Sequence, residues 1–550
     1  VEMRTGPIIA LRCERFSPAS LEAGLSFLIA VKLLLLARGR LLASLSRFGG
    51  YFFASYRVFR QDLNRLLTEY AADRRGLVWL SRIAAVGIVV RISFLDQPMR
   101  YDEAWTFLRF VEPGFTRLFD YPAPNNHVAH TLLVYLSTSV FGTEPWAIRL
   151  PAFMAGILLM PMTYLCARTV FHRTLGLVAT GLAAGSPFLV LYSTNARGYT
   201  GVALLTVALL PLSLYFVRKE SAFAGLLVAL LSAIGLFTMP SMLLPIAMLV
   251  VWSLLLAYHA GGWPKTLRIL RAVAGVLLVC ALIAVALYVP VLITSGIRRI
   301  VANQYVQPRA LVAAMTAWLQ MARETWVLYQ RDIPGFLTVC LIASALAGAL
   351  RLWKRNRPAF LLIPSVMIGI GMVLLAGRAI PYPRTWSFLL PLGFCLVDAG
   401  VTGILALAGH RARGHVAGAL GLLFALGIGY HLVTTEAVVH YPETGTLPDA
   451  EEIVLFLNPR LREGDLVLVR RYWPMRYYGY RQDIPLGVFG KNIPQEALED
   501  DRDRDIYVLV QLPGGTFEKA AKNYPQLDER DFVVREFPSA LLYLPRAKND

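Results

Sequence analysis

Charged residues are scarce in this sequence. Asp, Glu, Lys and Arg make up 16% of its 550 residues, whereas 56% are hydrophobic, and the mean hydropathy is +0.53. A soluble protein of this length needs far more polar surface, so the composition excludes that class and indicates a membrane protein. The net charge of +18 is compatible with a nucleic-acid partner, but the arginines lie between apolar runs and form no basic face. We therefore expect a membrane partner and no nucleic acid.

Cysteines are few, and internal repeats are not visible. The chain has five cysteines, four of them within apolar runs. Their scattered positions exclude a disulfide framework and a zinc-binding spacing, and favour small buried hydrophobic residues. The lack of a visible repeat counts against the transporters that are built from two related halves.

Long apolar runs, in contrast, are abundant. A helix needs about 20 apolar residues to cross a bilayer. Eleven runs approach that length: 78–94, 146–166, 175–192, 199–216, 222–238, 241–257, 272–293, 335–350, 359–376, 386–408 and 416–433. The sequence therefore predicts an α-helical polytopic membrane domain over residues 78–433, with about eleven transmembrane helices.

Basic residues between the runs predict the orientation. Alternate turns are rich in them: Arg168, Arg173, Arg218, Lys219, Lys265, Arg268, Arg271, Arg351, Lys354, Arg355, Arg357, Arg411 and Arg413. The short turns on the other side carry only Arg197, Arg378 and Arg384. Because cytoplasmic loops carry the excess of Lys and Arg, the first set of turns is expected on the cytoplasmic side of a cytoplasmic (inner) membrane. With an odd number of spans, everything after residue 433 then lies outside.

Four segments lie outside the spans. Residues 1–77 are expected to form a cytoplasmic or interfacial segment, in which the short apolar stretch 25–37 indicates either an amphipathic helix at the interface or an upstream extension. The first outer loop is 95–145, and its apolar stretch 127–141 is too short to span, so we expect a helix along the outer interface. A second long outer loop is 294–334. Residues 440–550 predict a small extracytoplasmic α/β domain, with a helix at 449–461 and strands at 465–471, 505–511, 531–537 and 540–546.

The adjacent acids Asp102 and Glu103 follow directly on the first apolar run. Acids at a helix exit often do no more than face water. The same loop, however, holds the stretch YPAPNNHVAH, with His127 and His130 three residues apart and so on one helix face. Carboxylates with imidazoles at a membrane surface can deprotonate an acceptor or bind a divalent cation. The histidine spacing alone favours a structural role, so a divalent metal at His127 and His130 is left open as the one candidate cofactor.

Two further outer turns carry arginines. Arg197 and Tyr199 lie in the turn LYSTNARGYTG, and Arg384 lies in AIPYPRTW. Taken singly, each arginine fits a side chain that snorkels to the interface or pairs with lipid phosphate. Together with the acidic pair they indicate a phosphate site, because guanidinium matches phosphate geometry and stays charged. A sugar carried on a polyprenyl phosphate fits this set, with Arg197, Arg384, Tyr199 and His127 as the donor phosphate-binding candidates.

Three short motifs resemble those of bacterial GT-C glycosyltransferases. They are the acidic pair after the first span, the FG…RLPA segment (Phe141, Gly142, Arg149, Leu150, Pro151, Ala152) and the ARGYT turn. The sequence is most similar to the protein-mannosyltransferase-like group that includes the lipid A aminoarabinose transferases. The resemblance covers residues 78–433 and is strongest before residue 215.

This resemblance implies an activity. Members transfer a sugar from a polyprenyl-phosphate donor to an acceptor outside the cytoplasmic membrane, usually with inversion. Asp102 matches the acid that acts as general base in the family, and Glu103 would assist it or be structural. In the aminoarabinose transferases, Glu-Lys-Pro stands where this chain has Asn125, Asn126 and His127, and a second acidic element is replaced here by Asn195, Arg197 and Tyr199. These departures put metal dependence in doubt.

The sequence thus predicts a membrane glycosyltransferase whose acceptor is a lipid, a glycan or a protein. One alternative is a transporter or flippase of lipid-linked sugars, which would need polar residues along a path through the bilayer. The spans carry few, chiefly Arg82 and Asp398, and both lie near the cytoplasmic ends. Another alternative is a structural subunit of a different transferase, which would not need Asp102.

Overall fold

The structure is a computed structural model, and it describes Lys32 and residues 49–174, 176–301, 308–406, 413–492, 505–524 and 526–546. The helices are α1 (49–72), α2 (Arg74–Ile92), α3 (Tyr101–Thr106), α4 (Val128–Phe141), α5 (Pro145–Cys166), α6 (Leu177–Gly185), α7 (Pro187–Ser193), α8 (Tyr199–Lys219), α9 (Ala222–Thr238), α10 (Leu243–Ser295), α11 (Ile297–Val301), α12 (Leu311–Gln330), α13 (Gly335–Arg355), α14 (Arg357–Phe360), α15 (Leu362–Gly377), α16 (Leu389–Leu405), α17 (Arg413–Thr434), α18 (Ala450–Leu457), α19 (Tyr472–Tyr480) and α20 (Phe517–Ala520). The strands are β1 (Leu466–Val469), β2 (Phe489–Gly490), β3 (Ile506–Gln511), β4 (Phe532–Phe537) and β5 (Ala540–Pro545).

The predicted helical membrane fold is confirmed, and within the described residues each predicted run lies largely in helix. Within the described residues, seven helices are long and apolar enough to cross a membrane. One of them is the 56-residue segment Pro240–Ser295, which contains two predicted runs and bends at Gly261 and Gly262, where the backbone leaves helical geometry. The predicted count of eleven spans is not confirmed, because α2 carries four arginines, the run 175–192 is broken, and α9 has only 17 residues.

The run 175–192 is broken into α6 and α7 at Ser186 and Pro187, since proline has no amide hydrogen to donate. Buried charged side chains form hydrogen bonds with the backbone amides and carbonyls that have no partner within the helix at the two ends of α6. Asp398 accepts hydrogen bonds from Gly176 N (2.8 Å) and Ala179 N (2.9 Å), and Arg91 donates to the carbonyls of Ala183 and Ala184. Asp398 therefore caps a helix and does not belong to a path through the bilayer.

The C-terminal part forms a five-stranded sheet with the order β2-β1-β3-β5-β4. β2, β1 and β3 are parallel, whereas β5 is antiparallel to both β3 and β4. The four predicted strands and the predicted helix are all present, as β1, β3, β4, β5 and α18. The two-residue strand β2 was not predicted. The central strand β3 is buried on both faces, as its continuous apolar sequence requires.

The sheet domain packs directly on the first loop of the membrane domain. Met99, Phe107 and Ile148 share one buried cluster with Tyr477 and Leu542 of the C-terminal part. The backbone also joins them, because Tyr101 N donates to Gly445 O at 3.0 Å. The first loop and the C-terminal domain therefore lie at the same end of the helical bundle.

The remaining segments are only partly described. The expected interfacial helix at 25–37 lies outside the described residues, apart from Lys32. The stretch 127–141 is indeed helical, as α4, and the loop 294–334 holds the 20-residue helix α12. The domain boundaries at 77, 433 and 440, and the position of α4 along the membrane surface, stay predictions.

Candidate active site

The acidic pair lies in the first turn of α3, and its two members face different surroundings. Glu103 is fully buried, and its carboxylate forms an ion pair with the equally buried Arg149. Glu103 also accepts hydrogen bonds from Arg100 N (2.9 Å) and Ala196 N (2.9 Å). Both carboxylate oxygens of Glu103 are therefore engaged by groups within the protein. Of the two roles expected for Glu103, assisting the base or supporting the structure, the geometry favours the structural one.

Asp102 has the opposite environment. Its side chain is 20% exposed, and Oδ2 lies 3.5 Å from Nη1 of Arg384, which is 16% exposed. Arg384 comes from the 3₁₀ turn Pro383–Phe388 before α16, far from Asp102 in sequence. This ion pair stands at the wall between two cavities, because both residues line each of them.

The larger cavity has a volume of about 660 Å³. One side is polar and carries three further candidates, His127, Arg197 and Tyr199, together with the amide of Asn125. The other side is apolar and comes from α10 and α15, including Leu243, Leu244, Val373, Leu374 and Gly377. The cavity is therefore suited to a ligand with an apolar chain and a polar head near Asp102.

The smaller cavity, of about 330 Å³, lies on the other side of the Asp102–Arg384 pair. The C-terminal domain supplies most of its polar lining through Arg470, Arg471 and Lys491. Glu443, in the segment that leads into that domain, completes it. A group in this cavity would approach Asp102 from the side away from the apolar walls.

Hydrogen bonds hold Arg197 in the polar wall of the larger cavity. Its Nη1 donates to Asn125 O (2.8 Å) and to Thr106 Oγ1 (3.0 Å), and Nη2 contacts Asn125 Oδ1 and His127 Nε2. Arg197 and Arg384 both lie near the ring of Tyr199, each with its guanidinium carbon 5.9 Å from the ring centre. Two cations next to one aromatic ring therefore line the same cavity.

The two histidines are buried and form no recognisable metal centre. His127 Nδ1 accepts a hydrogen bond from Gly198 N (2.9 Å) and Nε2 faces Arg197. Burial first, and then the charge of Arg197, lower the pKa of His127 well below its usual value and that of His130 to about 3. In the described part of the chain no three His, Cys, Asp or Glu residues are grouped as metal ligands. A cation next to Arg197 is also disfavoured by repulsion, so these residues do not fit a metal.

Five of the seven residues predicted from the sequence thus share one cavity: Asp102, His127, Arg197, Tyr199 and Arg384. Glu103 and His130 are buried and do not line this cavity, and the roles of all seven stay predictions. Glu443 was missed. Its Oε2 accepts from Tyr192 OH (2.7 Å) and Oε1 from Arg384 N (3.3 Å), and burial raises its pKa. Nothing in its sequence context, YPETG, marks it, because only the fold brings it to Arg384.

Residues 127–293 match the family model described as dolichyl-phosphate-mannose-protein mannosyltransferase. This match confirms the resemblance inferred from the motifs over that part of the chain. No curated protein matches the sequence.

Solved structures match over most of the chain. ArnT from Cupriavidus metallidurans in the apo state is 13% identical with a TM-score of 0.55, covering 85% of this chain and 98% of that chain. The same protein bound to undecaprenyl phosphate is 12% identical with a TM-score of 0.53, covering 86% and 98%. An Archaeoglobus fulgidus oligosaccharyltransferase is 12% identical with a TM-score of 0.48, covering 85% and 74%. At these identities the ArnT structures establish the fold, and they do so over 85–86% of this chain.

Replacement of Glu103 tests the structural role. Glu103→Gln leaves the buried charge of Arg149 without its partner, which is expected to cost about 3 kcal/mol of unfolding free energy. The thermal unfolding midpoint in detergent should fall clearly, whereas the exposed Glu112→Gln should leave it unchanged. The double variant Glu103→Gln/Arg149→Gln should recover part of the loss. A Glu103→Gln protein as stable as the parent would contradict this role.

The histidine environment predicts a pH dependence of stability. His130 has a pKa of about 3 in the folded protein and about 6.5 when unfolded. Between these values the unfolded chain binds a proton that the folded chain does not, so stability falls as the pH drops below about 6.5, by up to about 1.4 kcal/mol per pH unit. His130→Gln should reduce the slope of the thermal unfolding midpoint against pH between about pH 5 and 6.5. The exposed His440→Gln is the control, and equal slopes in both variants would refute the expectation.

Proposed function

We propose that this protein is a membrane glycosyltransferase that moves a sugar from a polyprenyl-phosphate donor to an acceptor on the outer face of the cytoplasmic membrane. The observation that carries the proposal is the position of the Asp102–Arg384 pair at the boundary of two cavities. One cavity has an apolar wall suited to a lipid chain, and the other is polar. A donor and an acceptor can then meet at a single carboxylate.

The donor occupies the larger cavity in this proposal. Its prenyl chain lies against the apolar side chains of α10 and α15, and its phosphate lies between Arg384 and Arg197. Guanidinium groups bind phosphate in bidentate fashion, and both arginines keep their charge in a site shielded from water. The fold shared with an ArnT structure that holds undecaprenyl phosphate supports this class of donor.

The reaction needs one base. Asp102 accepts the proton of the acceptor hydroxyl, whose oxygen attacks the anomeric carbon of the sugar while the bond from that carbon to the phosphate oxygen breaks. Inversion follows from this single displacement. The charge that develops on the departing phosphate is stabilised by Arg384 and Arg197, an electrostatic contribution that is often the largest in such sites. Tyr199 and His127 complete the polar wall around the phosphate.

A flippase is less well supported. It would need polar groups along a route through the bilayer, but Asp398 and Arg91 hold the ends of α6, and Arg82 stacks on Trp79 at 5.2 Å. The extracytoplasmic position of the C-terminal domain belongs to the proposal too. It is supported by the distribution of basic loops and by the packing of that domain on the loop that carries Asp102.

Asp102→Asn tests the proposed base. The amide keeps the shape of the side chain but cannot accept the proton, so sugar transfer should fall by about 10²–10⁴-fold. Transfer is measured by mass spectrometry of envelope glycans from cells that express each variant, and the unfolding midpoint checks that the protein is intact. The exposed Asp96→Asn is the matched control. Full transfer by Asp102→Asn would eliminate Asp102 as the base and leave a scaffold or flippase role.

Arg384→Gln tests the phosphate clamp. Loss of its charge should reduce the rate by about 10²–10³-fold, because the leaving phosphate loses a preorganised donor. The affinity for undecaprenyl phosphate should also fall, as measured with the purified protein in nanodiscs. Arg378→Gln, at an exposed position just before the same turn, should change neither quantity. Undecaprenyl phosphate binding that is equal in Arg384→Gln and the parent would contradict the clamp.

A further inference from the structure

The smaller cavity is lined by three cations that the proposed proton transfer to Asp102 does not use: Arg470, Arg471 and Lys491. Arg470 and Arg471 follow β1 directly, and Lys491 follows β2 directly. These strands are parallel neighbours, with Leu468 paired to Gly490. Ligands of parallel sheets bind at the carboxyl ends of the strands. The sheet thus presents three cations at the edge where such a fold binds ligands, and this edge faces Asp102.

The three cations of the smaller cavity have no acidic ion-pair partners within the part of the chain that the structure describes. Among the described residues, no carboxylate forms an ion pair with Arg470, Arg471 or Lys491, whereas Arg384 pairs with Asp102. Arg471 is fixed by a hydrogen bond from Nη1 to Thr446 O at 2.9 Å. Burial first, and then the charge of Arg470, lower the pKa of Arg471. Repulsion among neighbouring cations costs free energy in the empty cavity, and a bound anion removes that cost.

We propose that the smaller cavity binds an anionic group, a phosphate or a carboxylate, that is part of the acceptor, and that Arg470, Arg471 and Lys491 select acceptors bearing such a group. This inference rests on the proposed function, because it assigns the acceptor to one side of Asp102. Binding of the anion by the C-terminal domain brings the neighbouring hydroxyl to the carboxylate of Asp102. An acceptor without the anionic group lacks this anchor and is held less well.

The geometry separates this site from the donor phosphate site. The three cations line only the smaller cavity, and Arg197, Tyr199 and His127 line only the larger one. The two cavities share Tyr101, Asp102 and Arg384. An anion at the sheet edge therefore lies on the opposite side of the reacting carboxylate from the apolar chain of the donor.

Small sugars provide the test. The full-length protein in nanodiscs is titrated with glucose 6-phosphate, glucuronate and glucose, with binding followed by tryptophan fluorescence and confirmed by equilibrium dialysis. At least one of the two anions should bind about tenfold or more tightly than glucose, and high salt should weaken that preference. The anion that binds better identifies phosphate or carboxylate as the recognised group. Equal affinities for all three sugars would overturn the proposal.

Charge removal locates the binding. Arg470→Gln/Lys491→Gln should abolish the preference for the anionic sugar and leave the affinity for undecaprenyl phosphate unchanged. Arg460→Gln/Arg535→Gln is the matched control, because both arginines lie in the same domain against Phe456, away from the cavity. If the anionic sugar instead competes with undecaprenyl phosphate and ignores the double substitution, it occupies the donor site and the proposal is wrong.

The outcome is separable from that of the proposed function. Anion binding needs no turnover, so Asp102→Asn protein should still prefer the anionic sugar while it fails to transfer. Sugar transfer by the Asp102→Asn variant would refute Asp102 as the base but would leave the proposal of the anion site unaffected. The Arg470→Gln/Lys491→Gln variant can lose the anion preference and still give full envelope glycosylation. That result would show that the cavity binds anions but would refute its role in acceptor selection.

Discussion

The buried ion pair of Glu103 and Arg149 determines where the reactive groups lie. Its carboxylate also accepts from the amides of Arg100 and Ala196, so a single side chain joins the start of α3, the start of α5 and the turn before α8. Asp102 is one residue from Glu103, and Arg197 is one residue from Ala196. Burial of both charges is costly and is offset only when their hydrogen bonds are complete. The completeness seen here explains how an irregular loop can hold Asp102 steadily at the rim of two cavities.

This contact also gives the three short sequence motifs a common physical meaning. The acidic pair supplies Glu103, the FG…RLPA segment supplies Arg149, and the ARGYT turn supplies Ala196 and Arg197. In the sequence they are separated by dozens of residues and look like independent hints of function. In the structure they meet at one carboxylate, so a large part of their pattern reflects the support of the site and not the chemistry itself.

Local sequence patterns predicted what depends on local physics. Apolar runs predicted the helices, and alternation with turns predicted β1, β3, β4 and β5. The division of labour between Asp102 and Glu103 was not predictable, since adjacent acids on a short helix are distinguished only by the partners that packing brings to them. The same holds for Glu443 and the cations of the C-terminal domain, which reach Asp102 through tertiary contacts. The basic pair at the end of the predicted strand 465–471 was the one visible signal, and it was not recognised.

The arrangement separates two demands on a lipid-dependent transferase. The donor proposed above is a long apolar chain with one phosphate, and the cavity proposed to hold it is lined chiefly by helices and turns of the membrane domain, with Tyr472 and Trp473 from the C-terminal domain. The opposite side of Asp102 comes largely from loops at the edge of a separate sheet. Loops tolerate substitution better than packed helices do, so the acceptor side can change without disturbing either the donor cavity or the Glu103–Arg149 pair. The two cavities meet at Tyr101, Asp102 and Arg384, so a substitution among the cations of the sheet edge changes the charge on one side of the carboxylate and leaves the arginines of the larger cavity in place.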